Sequence, residues 1–167
     1  EFDEDLKQIV TSAANKVEEA IDKLQFHQGL EEIWKVIARV NKYIDETAPW
    51  ILVKEETNKG RLDTVLYNLA DSIRIISVLL KPFMVATTSK IWTQLGIDDG
   101  QGTNWSDASS FGKIPTGIKV RKGEALFPRL EIEKEVEELE KVNAAYFKKI
   151  NGVKEEETVE IEPKEEI

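Results

Sequence analysis

An all-α fold, an antiparallel helix bundle followed by an irregular arm and a C-terminal helix, is what this sequence predicts. Three observations predict it. Four segments before residue 97 space their apolar side chains three and four residues apart, the mark of helices with one buried face. The links between them are short, which favours antiparallel neighbours. After Gly96 the period stops, and Gly, Pro, Ser, Asp and Asn take over until a helical pattern returns near residue 131.

The first stripe, over residues 5–24, runs Leu6, Ile9, Val10, Ala13, Val17, Ala20, Ile21 and Leu24. The second, in "FHQGLEEIWKVIARVNKYID", places Leu30, Ile33, Trp34, Ile37, Val40 and Ile44 on one face. It must end near Thr47, because Pro49 has no backbone N–H and restricts Ala48. The short "QFHQG" between the two predicts a helical hairpin. A third stripe, Leu62, Val65, Leu66, Leu69, Ile73, Ile76, Leu79 and Leu80, reaches Pro82; as the most apolar it should be central. "TTSKIWTQLG" predicts a shorter fourth helix, with Thr87 or Thr88 as N-cap and Gly96 as left-handed terminator. The arm that follows has Trp105, Phe111, Ile114, Ile118, Val120, Leu126 and Phe127 to bury, so it should be ordered rather than a flexible linker. A fifth helix is predicted over residues 131–149, with Ile132, Val136, Leu139, Val142 and Tyr146 in register and an acidic first turn. The expected organisation is a bundle at 1–97, an arm and helix packing back on it at 98–152, and a glutamate-rich linker at 153–167.

With 167 residues, 41% of them hydrophobic, the chain is sized for one domain and an appendage. No stretch approaches a membrane span and "EFDEDLKQIV" lacks the layout of a secretory signal, so no membrane partner and a cytoplasmic location are expected. Cysteine is absent and His27 is the only histidine, which leaves no plausible metal cage or catalytic pair; His27 reads as a capping or surface residue. No phosphate-binding loop, dinucleotide fingerprint or nucleophile elbow occurs, so no catalytic residues are assigned and binding is the better category. The net charge of −9 argues against non-specific nucleic-acid binding. However, residues 153–167 carry a net of −5 and residues 131–150 a net of −2, which leaves only −2 for residues 1–130 and room for a basic face there.

The four tryptophans are then the informative residues. Trp34 and Trp92 lie on helical stripes and are expected in the core; Trp105 is expected to pack within the arm. Trp50 differs, because Pro49 has already ended the helix and fixes a corner. With Arg39, Lys42, Lys54, Lys59 and Arg61 nearby in sequence, such an aromatic suits an unpaired base, stacking being worth about 1–3 kcal/mol. A Trp after Pro can equally staple two helices together, and composition does not separate the two.

Three stretches carry a resemblance: "NKYIDETAPW" at 41–50, "LADSIRIISVLLKPFMVATTSKIWTQLGI" at 69–97 and "LFPRLE" at 126–131. In order and spacing they resemble the anticodon-binding region of bacterial methionyl-tRNA synthetases, over essentially the whole chain. The resemblance implies the helix bundle of a class I synthetase, reading the CAU anticodon of methionine tRNAs. It implies that Trp50 stacks on the first anticodon base, that Pro49 shapes the corner, that Asp45 helps exclude wrong bases and that Asn41 belongs to the same site. Arg39, Lys42 and Lys54 become the expected phosphate contacts. The family's Asn and Arg that hydrogen-bond the first base lie on a helix upstream of residue 1 and are not in this sequence. Its catalytic signatures, with their ATP, Mg and often Zn, are likewise not here, so the chain should match an excised part, with the catalytic domain as a partner in the same chain. Without the family's first helix, an apolar groove and a dimer through it are expected. The glutamate-rich end resembles a linker to a C-terminal OB-fold module. Two rivals remain open: the anticodon-binding domain of another class I synthetase, and a non-RNA helical interaction module.

Overall fold

Acidic side chains at Asp3, Glu4 and Asp5 open helix α1, Phe2–Asp22, in the computed structural model, which describes residues 2–97 and 100–156. They face the positive end of the helix dipole. The stripe is buried as its spacing predicts, with Leu6, Val10, Ala13, Ala14, Val17 and Ala20 in the core. Leu24 departs from it. Its φ of 57° makes it the left-handed cap that turns the chain, and it is exposed. Helix α2, Phe26–Thr47, packs along α1 as the second half of the hairpin and buries Ile33, Val36, Val40 and Tyr43.

Pro49 does not only end α2. It starts a one-turn helix α3, Pro49–Leu52, which leads through a 3-10 turn at Glu56–Asn58 into α4, Lys59–Leu80. Helix α4 touches α1, α2, α3 and the next helix, and from Ser72 onward it is buried on nearly every side, Ile73 excepted. The central position expected of the most apolar stripe is thus its place. Helix α5, Val85–Leu95, ends at Gly96 with φ 74°, the predicted terminator. Neither Thr87 nor Thr88 caps it. Met84 holds the cap position, because the helix starts directly after the Pro82–Phe83 turn, and the buried Thr88 hydroxyl instead donates to the Met84 carbonyl at 3.0 Å. Trp92 is core, its indole N–H donating to Ser77 Oγ at 2.7 Å. Trp34 is not: at 55% exposure it lies on the outer face of α2 beside His27, Leu30 and Ala38, one face over from the one that meets α1 and α4. Leu66 and Ile73 on α4 are also exposed.

The arm is ordered, and the reason is a buried ion pair. Arg74 and Asp71, a turn apart on α4, both have 0% exposed side chains. Arg74 Nε and Nη2 donate to the Asp71 carboxylate at 2.6 and 3.2 Å. The remaining guanidinium hydrogens reach the arm: Nη1 donates to the carbonyls of Gly102 and Asp107, Nη2 to that of Ser110. In return Asp71 accepts the backbone N–H groups of Gly112 and Ile114 at 2.6 and 2.9 Å. Irregular backbone has no ladder of its own, and here two side chains supply its partners. Trp105, Phe111 and Ile118 pack partly, and Ile114 fully, on the core, whereas Val120 and Phe127 are exposed.

The chain divides into two units, Glu1–Leu126 and Phe127–Ile167. The arm therefore belongs with the bundle, and the break falls at Phe127 rather than at residue 98. The second unit holds helix α6, Ile132–Glu156, longer than the expected 131–149, with Ile132, Leu139, Val142, Tyr146 and Phe147 exposed. Most of the glutamate-rich segment, residues 157–167, lies outside the described residues.

Candidate nucleic-acid interface

The corner after α2 is built by three adjacent residues. Thr47 turns its hydroxyl back to the Tyr43 carbonyl at 2.6 Å, and the Ala48 N–H still closes on Ile44 O at 2.9 Å. Ala48 then adopts φ 41°, ψ 61°, a left-handed conformation costing a non-glycine residue on the order of 1–2 kcal/mol. Its carbonyl accepts from the N–H groups of Ile51 and Leu52, which starts the turn that Pro49 leads, proline at the first position giving up no hydrogen bond. Leu52 packs against the core and anchors the turn. Trp50 does not: it is 52% exposed, with Ile51 and Val53 also exposed beside it. An indole held on a short, anchored turn with half its surface open to solvent offers a stacking face.

Asn41 and Asp45 are exposed and one turn apart on α2, hence on one face of it. Neither side chain is engaged in a hydrogen bond among the described residues, so both are available to a ligand. The cations sort differently from expectation. Arg39 is only 9% exposed, its guanidinium engaged by Asp5 and Glu46. A phosphate would have to displace two carboxylates, so Arg39 is a structural cation and not a phosphate contact. Lys42 is exposed and faces Glu46 at 3.5 Å. Lys54 is exposed with no ion pair among the described residues.

Sequence reasoning missed a network beneath this end of the bundle. Tyr43, fully buried, donates its hydroxyl proton to Asp3 Oδ1 at 2.7 Å and accepts from Asn68 Nδ2 at 3.0 Å. Arg61 holds the same carboxylate with two N–H groups. Three helices, α1, α2 and α4, are thereby tied just below the turns that carry Asn41, Asp45 and Trp50. No local pattern marks it, since its members lie 25 to 58 residues apart. The Arg61 guanidinium is the main reason the Asp3 carboxyl drops from 3.8 to about 2, the Tyr43 hydroxyl adding to it against the opposing effect of burial. A depressed carboxyl contributes stability that is fully present above its unfolded value and lost as pH falls through the folded one. The stability gap between wild type and Asp3→Asn should therefore be full above about pH 4 and close towards pH 2, as read by thermal unfolding across that window. A gap independent of pH would show that the carboxylate does not carry the tie.

Known proteins are similar to this chain. A family model described as the anticodon binding domain of methionyl tRNA ligase matches residues 1–150. The methionine–tRNA ligase of Caldanaerobacter subterraneus is 52% identical over 141 residues, covering 84% of this chain and 22% of that protein. The methionine–tRNA ligase of Bacillus subtilis is 42% identical over 168 residues, covering 99% of this chain and 24% of that one. Among solved structures, methionyl-tRNA synthetase of Mycobacterium tuberculosis in its free state aligns with a TM-score of 0.72 at 26% identity, over 78% of this chain and 26% of its own. The same enzyme in complex with methionyl-adenylate aligns at 0.71 and 27% identity, over 77% and 25%. The chain spans about a quarter or less of the length of the curated relatives it matches. A helical bundle with a proline-led tryptophan corner, matched over nine-tenths of its length, places this chain in the family of the anticodon binding domain of methionyl tRNA ligase.

Proposed function

We propose that this chain is the anticodon-reading part of a methionine–tRNA ligase and binds the CAU anticodon of methionine tRNAs, while ATP-dependent aminoacylation takes place in a catalytic domain of the same protein. The observation that carries this reading is Trp50, half exposed on a turn that Pro49 starts and Leu52 anchors. The first anticodon base stacks on the indole, and Asp45 and Asn41 border the next position, the Asp45 carboxylate penalising bases that present an acceptor. Lys54, and Lys42 where Glu46 releases it, neutralise neighbouring phosphates. ATP, Mg and Zn are assigned to the catalytic domain of that protein. No helix among the described residues is long and apolar enough to cross a membrane; action in the cytoplasm belongs to the reading as a tRNA ligase.

In the complete ligase, Trp50→Ala should cost on the order of 1–3 kcal/mol, about 5- to 150-fold in kcat/KM for methionine tRNA. Methionyl-adenylate formation, measured by pyrophosphate exchange without tRNA, should be unchanged. An unaltered charging rate would refute the assignment. A second reading concerns the isolated chain: Trp34, Leu66 and Ile73 are exposed, and apolar surface of this sort drives association. Sedimentation velocity should show a dimer appearing with concentration, and Trp34→Glu should abolish it; monomers throughout would remove the dimer from consideration.

A further inference from the structure

Cations in the first unit are mostly engaged within the protein. Lys7, Lys16, Lys23, Lys35, Lys42 and Lys59 face glutamates, Lys113 faces Asp107, and Arg39, Arg61 and Arg74 hold aspartates. Among the described residues up to Leu126, the cations without an ion pair apart from Lys54 are Lys90, Lys119, Arg121 and Lys122, and all four are exposed. They are also neighbours. The Arg121 N–H donates to the Gln94 carbonyl at 2.7 Å, and Gln94 Nε2 donates to the Glu124 carbonyl at 3.0 Å. The Lys119 carbonyl lies so close to Gly96 that a Cβ there would come within 2.4 Å of it. Lys90, one turn before Gln94, borders the same shallow hollow as Gly123 and Glu124. Residues 113–122 contain four Lys or Arg and no acidic residue, in a chain whose total is −9. Because exposed charges are screened over about 8 Å at physiological salt, the charge that counts for a nearby phosphate is that of this stretch and of Glu124, its nearest acidic neighbour in sequence.

We propose that the strip Lys119–Arg121–Lys122, with Lys90 beside it, is a second RNA contact that binds sugar-phosphate backbone away from the anticodon corner. The inference rests on the reading of this chain as a tRNA-binding domain. The corner supplies a stacking face but few unengaged cations, whereas neutralising phosphates is what dominates nucleic-acid affinity. The strip supplies them from backbone pinned to α5, so little order has to be gained on binding. Lacking aromatic side chains and base-reading amides, it contributes affinity without sequence preference.

The test is filter binding of a methionine tRNA transcript to the complete ligase across about 50–200 mM salt. The variant Lys119→Ala, Arg121→Ala, Lys122→Ala should reduce the slope of log K against log salt by about 2–3 and weaken binding by roughly tenfold or more at the low-salt end. The loss should be equal for a transcript with an altered anticodon, and Lys/Arg interchange at all three positions should restore the slope. Trp50→Ala should behave oppositely, keeping the slope and losing preference for the anticodon. If the triple variant matches wild type while Trp50→Ala still loses that preference, the strip is not an RNA contact and the anticodon reading stands. If neither wild type nor any variant prefers methionine tRNA, the anticodon reading itself fails. Unchanged tRNA binding together with lost retention on polyglutamate would overturn the proposal in favour of an acidic protein surface.

Discussion

Arg74→Met should lower the free energy of unfolding by about 3–5 kcal/mol, the range for removing one partner of a fully buried ion pair. Methionine nearly preserves the volume, so cavity formation is not the main reason. The cost arises because Asp71 is left buried without a cation and because the carbonyls of Gly102, Asp107 and Ser110 lose their donors. Among the described residues no buried side-chain nitrogen or oxygen lacks a partner, so nothing nearby stands ready to compensate. Denaturant unfolding measures the total. Hydrogen exchange locates it: the amides of Gly112 and Ile114, which donate to Asp71, should lose protection first, ahead of the α1–α2 hairpin. Asp71→Leu combined with Arg74→Met should recover only part of the loss. It removes the unpaired charge but still leaves five backbone groups of the arm without partners. A cost below about 1 kcal/mol for the single change would mean that water replaces the guanidinium and that the arm is held by its apolar side chains.

The contrast between what was and was not legible in the sequence follows from the range of the interactions. Helices α1, α2 and α4 were legible because burial of one face repeats every three or four residues. Gly96 was legible because a left-handed terminator favours glycine. The corner at Trp50 was legible because proline acts on its immediate neighbours; Ala48 in a left-handed conformation was not, since alanine carries no sign of it. Trp34 looked like core because an apolar stripe spans two adjoining faces, and the period does not say which of them meets a neighbour. Arg39 looked like a phosphate contact because its carboxylate partner Asp5 lies 34 residues away. Asp71 and Arg74 resemble an ordinary surface pair by spacing. Their surroundings, "LADSIRIISVLL", hold the one available hint, a charge pair inside an otherwise apolar run. Their partners, backbone groups 28 to 43 residues on, leave no mark in composition.

Gly96→Ala should destabilise the chain by about 2–4 kcal/mol, more than a change of one methyl group ordinarily costs. Two effects add. A non-glycine residue at φ 74° costs about 1–2 kcal/mol. The new Cβ would also meet the Lys119 carbonyl oxygen at 2.4 Å, and since both partners are backbone, relief requires the arm to move away from the end of α5. Gly100→Ala separates the two effects: its φ is 90° but a Cβ there meets nothing within 4 Å, so it should show the conformational cost alone. Thermal or denaturant unfolding of both variants gives the comparison, and equal losses would mean that the close approach of Lys119 carries no energy. The displacement also reaches function. Moving Lys119 strains the Arg121–Gln94 bond that fixes the basic strip. Gly96→Ala should therefore reduce the salt slope of tRNA binding even though no charge has been changed, whereas Gly100→Ala should leave it intact. A strip that works only as a loose cloud of positive charge would respond to neither.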